Sequence, residues 1–462
     1  MAVATPPSAE RRSRFMFDIA FEIQRKGMLG FFESTWHRQG DQARVQIGSR
    51  QIFLVVHPDH VQRVAVSQRA SYGKGASYDD VRALLLGDGL VASNGALWRR
   101  QRKLLAPFFT PRAVETYLPL IVEDGARFRE RWDTLARRGE PADMLHEMSA
   151  LTASIILRSM FSLEEAGTID WVKDAVETMI GFAAGRQMNP LHAPLWMPTP
   201  RNRAYLDART RVHDYIHGII AQRRAQPSEE WPDDLLSRLM HARDEETGAP
   251  MSDTLLRDES ITIFFAGHET TARTLAFLWH ALAKHPDVAA RLHAELDDVL
   301  GDDAPTLAHL KRPPYTLRVV KETLRLYPAA PMYARDVVAP DEIDGVPVPV
   351  GAQMILLPYL THRHPDFWPD PERFDPDRWQ PEQEAARHNY AYHPFAAGQR
   401  VCIGNNFSLF ESHLIVALLA RHFAPRTVPG HTPQLWMDGT LGSRNGLPMV
   451  VEQRGERQGA GQ

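Results

Sequence analysis

Apolar residues recur at every third or fourth position from Asn94 to about Gly301, and this spacing predicts a largely helical middle for the chain. The longest such run extends from Ser252 to Lys284. Ser252 or Asp253 can cap its start, and His285–Pro286 ends it. At ~1.5 Å per residue the helix is about 50 Å long, so it has to cross the core. Its centre, FFAGHETTARTL, nevertheless sets a Gly, a Glu and two Thr into an apolar stretch. Two segments break the helical pattern: the proline-rich Asn189–Pro200 and the polar Gln226–Asp234.

Alternation replaces the helical period at both ends. ARVQIGSRQIFLVV predicts two short strands around Gly48–Ser49, with a helix after His57–Pro58. Beyond Tyr327, DEIDGVPVPVGAQMILLPYL predicts a strand pair with turns at Gly345 and Gly351, and THRHPDFWPDPERFDPDRWQP reads as loop. A last helix is expected from about Cys402 to Phe423, followed by short strands. No repeat and no Gly/Ser linker divides the chain. The prediction is a mainly α protein with small β-sheets (α+β), built as one large domain over residues 21–455 with flexible ends at 1–20 and 456–462.

Composition narrows the function. With 44% hydrophobic and 24% charged residues the chain has an ordinary globular balance, and a formal net charge of -4 gives no case for nucleic acid. A single cysteine, Cys402, excludes an intrachain disulfide and a cysteine-rich metal cluster. Near the N-terminus, Arg11, Arg12, Arg14, Asp18 and Glu22 interrupt every apolar run. No membrane anchor or secretory signal is expected there, and the protein reads as cytoplasmic.

Cys402 lies in HPFAAGQRVCIG, just before the last helix. Backbone N–H groups at a helix start point towards such a sulfur and favour thiolate. Gly398 and Gly404 allow tight turns, Phe395 can shield the sulfur, and Arg400 is placed to meet an anion. A thiolate beside a flat anionic group suggests haem, held through sulfur on iron and through Arg on a propionate.

The spacing of Phe395, Gly398, Arg400, Cys402 and Gly404 resembles the F-x-x-G-x-R-x-C-x-G loop of the cytochrome P450 family. Three further stretches are similar to family motifs, in the family's order: Ala266–Thr271 (AGHETT), Glu322 with Arg325 (E-x-x-R), and Trp98 with Arg102 (W-x-x-x-R). The resemblance covers about Ala43 to Val451. It implies the cytochrome P450 fold with a long central helix over haem b, whose iron takes an axial thiolate from Cys402. It also implies that Trp98, Arg102, Arg335 and Arg400 reach the propionates, with Phe395 and Gly404 shaping the loop. Glu322 and Arg325 form a structural cluster with Arg378, from RFDPDRW. Arg373 is the rival to Arg378. Asn94 can cap the Trp98 helix, and His393 reads as a polar rim residue.

By the same resemblance the protein is a monooxygenase that inserts one atom of dioxygen into a C–H or C=C bond. Glu269 and Thr270 are the catalytic pair, Glu269 feeding protons through water and Thr270 holding the oxygen ligand. Gly267 leaves room for dioxygen. Val91, Phe265, Ala266 and Ala330 are the expected substrate contacts, and their apolar character implies a hydrophobic small molecule such as a fatty acid, terpenoid, steroid or polyketide. About 60 residues follow Cys402, too few for a flavin domain. Electrons are therefore expected from a separate ferredoxin or flavodoxin with its reductase, docking through Arg99, Arg100 and Lys103. The Asn189–Pro200 stretch reads equally as a lid or a surface loop. Three rival readings are a peroxide-driven haem-thiolate enzyme, a haem-binding sensor without turnover, and a protein with no haem.

Overall fold

The computed structural model describes residues 16–455, apart from 48–49, 189–191, 302, 304 and 311–313. The central helix is Asp253–Lys284, and the Ser252 hydroxyl accepts from Leu255 N–H at its start. Most of it is buried, as a helix through the core must be. Helix Met144–Phe161 packs along it and is itself buried through most of its length. Gly267 explains the close approach: a Cβ there would lie 3.0 Å from Ile156 Cδ1. Gly267 thus serves helix packing.

The helix after the cysteine is Asn405–Leu419, shorter at both ends than expected. It packs against the central helix, where the Thr271 and Ser408 hydroxyls are 3.2 Å apart. Helix Pro314–Leu326 carries the E-x-x-R pair. One continuous apolar core takes in residues from Leu29 to Val451 and joins all of these helices.

The largest sheet has five strands in the order Arg44–Ile47, Arg50–Val55, Gln353–Leu356, Tyr333–Val337, Tyr72–Gly73. Arg50–Val55 and Gln353–Leu356 run parallel; the other neighbours are antiparallel. The predicted strands on either side of Gly48–Ser49 are present, while those two residues lie outside the described set. Gly345 (φ 77°) makes the predicted turn between Asp341–Ile343 and Val346–Val348. Near the C-terminus, Leu435–Asp438 and Thr440–Ser443 form a two-stranded hairpin.

The sequence reading missed the first helix, Met16–Gln39, which begins inside the segment expected to be flexible up to residue 20. Its backbone leaves helical geometry at Gly27 (φ 72°, ψ 171°), where a Cβ would press on Trp436 of the C-terminal hairpin. The expected flexible tail, 456–462, and residues 1–15 are outside the described set, as is the start of the proline-rich 189–200 stretch. No helix among the described residues is long and apolar enough to cross a membrane.

Candidate active site

The Cys402 loop is a tight hairpin. Cys402 N–H donates to Phe395 O at 2.8 Å, Ala396 (φ 61°) and Gly398 (φ 69°) both sit in the left-handed region, and a Cβ on Gly398 would strike Ala65 O at 2.1 Å. The thiol is solvent-accessible, yet burial pushes its pKa up. Gly404 N–H and the Arg102 guanidinium pull in the opposite direction but do not prevail. The helix start thus contributes the pull towards thiolate that the sequence predicts, through Gly404 N–H, while burial opposes it. A bound metal cation would favour the thiolate at this sulfur.

Around the loop, cations collect without counter-ions. Arg400 donates to Ser93 O at 3.0 Å and to Asn94 Oδ1 at 2.8 Å, and its guanidinium lies 3.7 Å over the Trp98 ring. Arg335 is buried and donates to its neighbour's carbonyl, Ala334 O, at 2.7 Å. Arg102, half-buried, donates to Val401 O at 2.9 Å. Lys74 joins them: its ammonium donates to Val91 O and lies 4.6 Å over the Tyr78 ring. None of the four pairs with a carboxylate among the described residues. Burial and mutual repulsion depress Lys74 well below the ordinary lysine range and bring Arg400 down to about 10. A cavity of about 270 Å³ is lined by Lys74, Asn94, Trp98, Arg99, Arg335 and Arg400, with no acidic residue.

Buried cations left without partners are costly unless an anion joins them. An accessible thiol beside this cation set fits a flat iron porphyrin with two propionates. Lys74 was absent from the sequence reading, since nothing local in SYGKGAS marks it. Asn94 departs from its predicted role. It sits at the helix start, Gly95–Leu105, but makes no side-chain cap. Instead its amide donates to Lys74 O at 2.7 Å while its oxygen accepts from Arg400, so it ties two of the cations together.

On the central helix, Phe265, Ala266, Gly267 and Thr270 are partly accessible while most of the helix around them is closed off. The Thr270 hydroxyl donates to Ala266 O at 2.7 Å, as the i,i+4 spacing predicts. Glu269 points elsewhere. Its Oε1 accepts from the Thr440 hydroxyl at 2.8 Å and Arg273 at 3.2 Å, while Oε2 is buried without a partner. Beside it is a polar cleft of about 320 Å³ lined by His146, Ser149, Glu177, Glu269 and Arg273. Thr440, on the C-terminal hairpin, was also absent from the sequence reading.

The loop that carries Val91 is pinned to the start of the central helix. Asp88 N–H donates to Asp258 at 2.9 Å and Leu90 N–H to Glu259 at 3.0 Å. Burial pushes the Glu259 carboxyl up to about 8. Ala330 is partly accessible, and the neighbouring Ala329 O accepts from Leu441 N–H of the hairpin at 2.9 Å.

The structural cluster is complete within the protein. Glu322 and Arg325 are 0% exposed and joined by two hydrogen bonds of 2.9 and 2.8 Å. Glu322 also accepts from Asp375 N–H at 2.8 Å and Trp379 Nε1 at 3.0 Å, and Arg378 lies 3.6 Å away. Arg373 is largely exposed and reaches Asp375 instead. Arg325 donates to the carbonyls of His362, Pro371 and Arg373. His362, unmarked in the sequence reading, carries the connection onward: its Nδ1–H donates to Arg325 O at 3.2 Å, and its Nε2 accepts from His393 N–H at 2.9 Å. His393 is therefore a buried group at the root of the Cys402 loop rather than a rim residue. Burial brings its imidazole down to about 3.

The predicted docking cations are unequal. Arg99 is exposed and makes no ion pair among the described residues, whereas Arg100 and Lys103 already meet Asp244 and Glu245.

The comparisons agree with this geometry. The family model described as Cytochrome P450 matches residues 7–449. Cyclooctatin synthase of Streptomyces melanosporofaciens is 35% identical over 92% of this chain and 91% of its own length. Cyclooctat-9-en-7-ol 5-monooxygenase of the same organism is 35% identical over 92% and 94%. Pentalenene oxygenase of Streptomyces avermitilis is 31% identical over 87% of each. Among solved structures, the heme domain of cytochrome P450DA superposes with a TM-score of 0.86 at 26% identity, covering 97% of both chains. The chain belongs to the cytochrome P450 family, as a monooxygenase whose haem b takes its axial thiolate from Cys402.

Proposed function

We propose that this P450 oxidises a cyclic hydrocarbon-rich molecule of the terpenoid kind, with electrons delivered by an acidic ferredoxin or flavodoxin, and that residues 21–455 work as one unit. The observation that carries the reading is the uncharged face of Phe265, Ala266 and Thr270, accessible in the middle of a buried helix. With Val91 and Ala330 it offers a substrate apolar contact and a single hydroxyl. Two of the relatives are named for cyclooctat-9-en-7-ol and pentalenene, which favours a hydrocarbon skeleton over a fatty acid or polyketide.

The cofactor supplies dioxygen binding and activation, favoured by electron donation from the Cys402 thiolate. The protein's part is to hold cofactor, substrate and protons. Trp98, Arg102, Arg335, Arg400 and Lys74 would hold the propionates, and Phe395 and Gly404 would shape the thiolate's surroundings. Thr270, its proton committed to Ala266 O, presents oxygen lone pairs to the cavity and so accepts a hydrogen bond there. Glu269 carries protons from the polar cleft, because its free Oε2 can exchange one while Thr440 and Arg273 hold the other oxygen. Presence of this Glu–Thr pair favours dioxygen chemistry over the peroxide-driven and sensor readings.

A spectral titration with cyclic terpene olefins, steroids and long-chain fatty acids tests the substrate class. The terpene olefins are expected to give the high-spin shift of the iron, with one labelled atom from dioxygen in the product. A shift confined to fatty acids, or product formed only with added peroxide, would overturn the reading. Thr270→Ala should retain substrate binding and divert electrons to peroxide; unchanged coupling would remove Thr270 from its role.

A further inference from the structure

The segment HARDEETGAP, 241–250, folds into a closed hairpin of its own. Arg243 and Pro250 form an antiparallel bridge, Asp244 N–H donates to Ala249 O at 3.0 Å, and Gly248 (φ 68°) returns its N–H to Asp244 O at 2.7 Å. Asp244 Oδ1 accepts from both Thr247 N–H and Thr247 Oγ1 at 2.8 Å, which fixes the turn and leaves Oδ2 free to point away. That oxygen lies 3.0 Å from Arg100 Nε, and Arg100 also donates to Ala249 O at 3.5 Å. One residue on, Glu245 lies 2.7 Å from Lys103. Glu245, then Glu246 and Asp244, hold the Lys103 ammonium above its usual range. Two consecutive acids, Asp244 and Glu245, are thus paired with cations of the helix that also holds the Cys402 loop through Arg102, and Glu246 follows them.

We propose that the Asp244–Glu246 tip acts as an intramolecular stand-in for the acidic electron donor, masking Arg100 and Lys103 until the donor displaces Glu245. This rests on the proposed docking of an acidic donor at the Gly95–Leu105 helix. The two contacts divide the labour. Asp244 is largely buried and braced by Thr247, so it stays in place. Glu245 and Lys103 are both exposed, and a pair of that kind shifts an equilibrium by about fivefold at most. The mask therefore tunes docking rather than blocking it. Salt weakens mask and docking together, so the native protein should lose donor affinity less steeply with ionic strength than a protein without the mask.

The test is a double-mutant cycle on the holoenzyme, reading affinity for an acidic [2Fe–2S] ferredoxin by titration and the rate of first reduction by stopped flow, at low and high salt. Both substitutions are on exposed side chains and leave the fold intact. Glu245→Gln alone should tighten binding about two- to fivefold and steepen the salt dependence. Lys103→Gln alone should change it by less than about twofold, but should weaken it by about two- to fivefold in the Glu245→Gln background. Equal effects of Lys103→Gln in both backgrounds would overturn the mask and leave the docking face standing. No effect of Lys103→Gln in either background, joined by no effect of Arg99→Gln, would overturn the docking face and the mask with it.

Discussion

Two clusters of buried charge flank the Cys402 loop, and they solve the same problem in opposite ways. At Glu322, the acid is answered by Arg325, an indole N–H and a backbone N–H, with Arg378 as a second cation 3.6 Å away, so the charges are paired within the protein. At Arg400, Arg335, Arg102 and Lys74, the cations meet carbonyls, one amide oxygen and aromatic faces, and among the described residues no carboxylate answers them. A polar cluster closed on itself holds the structure together; a cluster left open in charge marks where something else binds. The difference separates scaffold from site without any appeal to motif.

The largest expected effect breaks the closed cluster. Glu322→Gln keeps the shape but leaves Arg325 buried and uncompensated, which should cost about 3–5 kcal/mol. Denaturant unfolding should show a midpoint shift of that size, together with poor haem retention, because His362 transmits the position of Arg325 to the loop. A shift under about 1 kcal/mol would mean that the cluster is not structural.

The open cluster should respond with the opposite sign in the absence of cofactor. Arg400→Leu and Arg335→Leu each remove a charge-assisted contact to an anion, worth roughly 1.5–3 kcal/mol. Haem loss to an acceptor protein should therefore quicken by about 10- to 100-fold. The apo-protein should be no less stable than the parent, since an uncompensated cation has gone. Equal destabilisation of apo- and holo-protein would contradict this.

Lys74 sharpens the same contrast through pH. Its folded pKa lies below its unfolded one, so the unfolded chain binds more protons between the two values. Stability of the apo-protein should rise with pH through that window towards the ordinary lysine range near 10.5. Haem should flatten the rise by supplying the anion, and Lys74→Met should remove it. An unchanged pH slope in Lys74→Met, measured by thermal unfolding of the apo-protein, would place the titration elsewhere. The smallest effect belongs to Arg373→Ala. This exposed neighbour of the closed cluster should change stability by no more than about 0.5 kcal/mol.

What could be read from the sequence follows the range of the interactions. The Ser252 cap, the Thr270–Ala266 bond and the Glu322–Arg325 pair join residues at most four apart, so spacing alone announces them. Partners far apart in the chain leave no such trace. Thr440 meets Glu269 across 171 positions. Lys74 joins Arg400 through Asn94, and His362 links Arg325 to the Cys402 loop across 31 residues. Local rules also misled where a distant group competed. Asn94 would cap its own helix were Arg400 not there to claim the oxygen.

The most direct test of the central claim, that Cys402 and the open cation cluster together form the haem site, is the absorption spectrum of the reduced protein under carbon monoxide, for the parent and Cys402→Ser. The parent should show the red-shifted Soret band of thiolate-bound iron, and Cys402→Ser should lack it. A parent spectrum typical of a nitrogen-bound haem, or the same band in both proteins, would contradict the account.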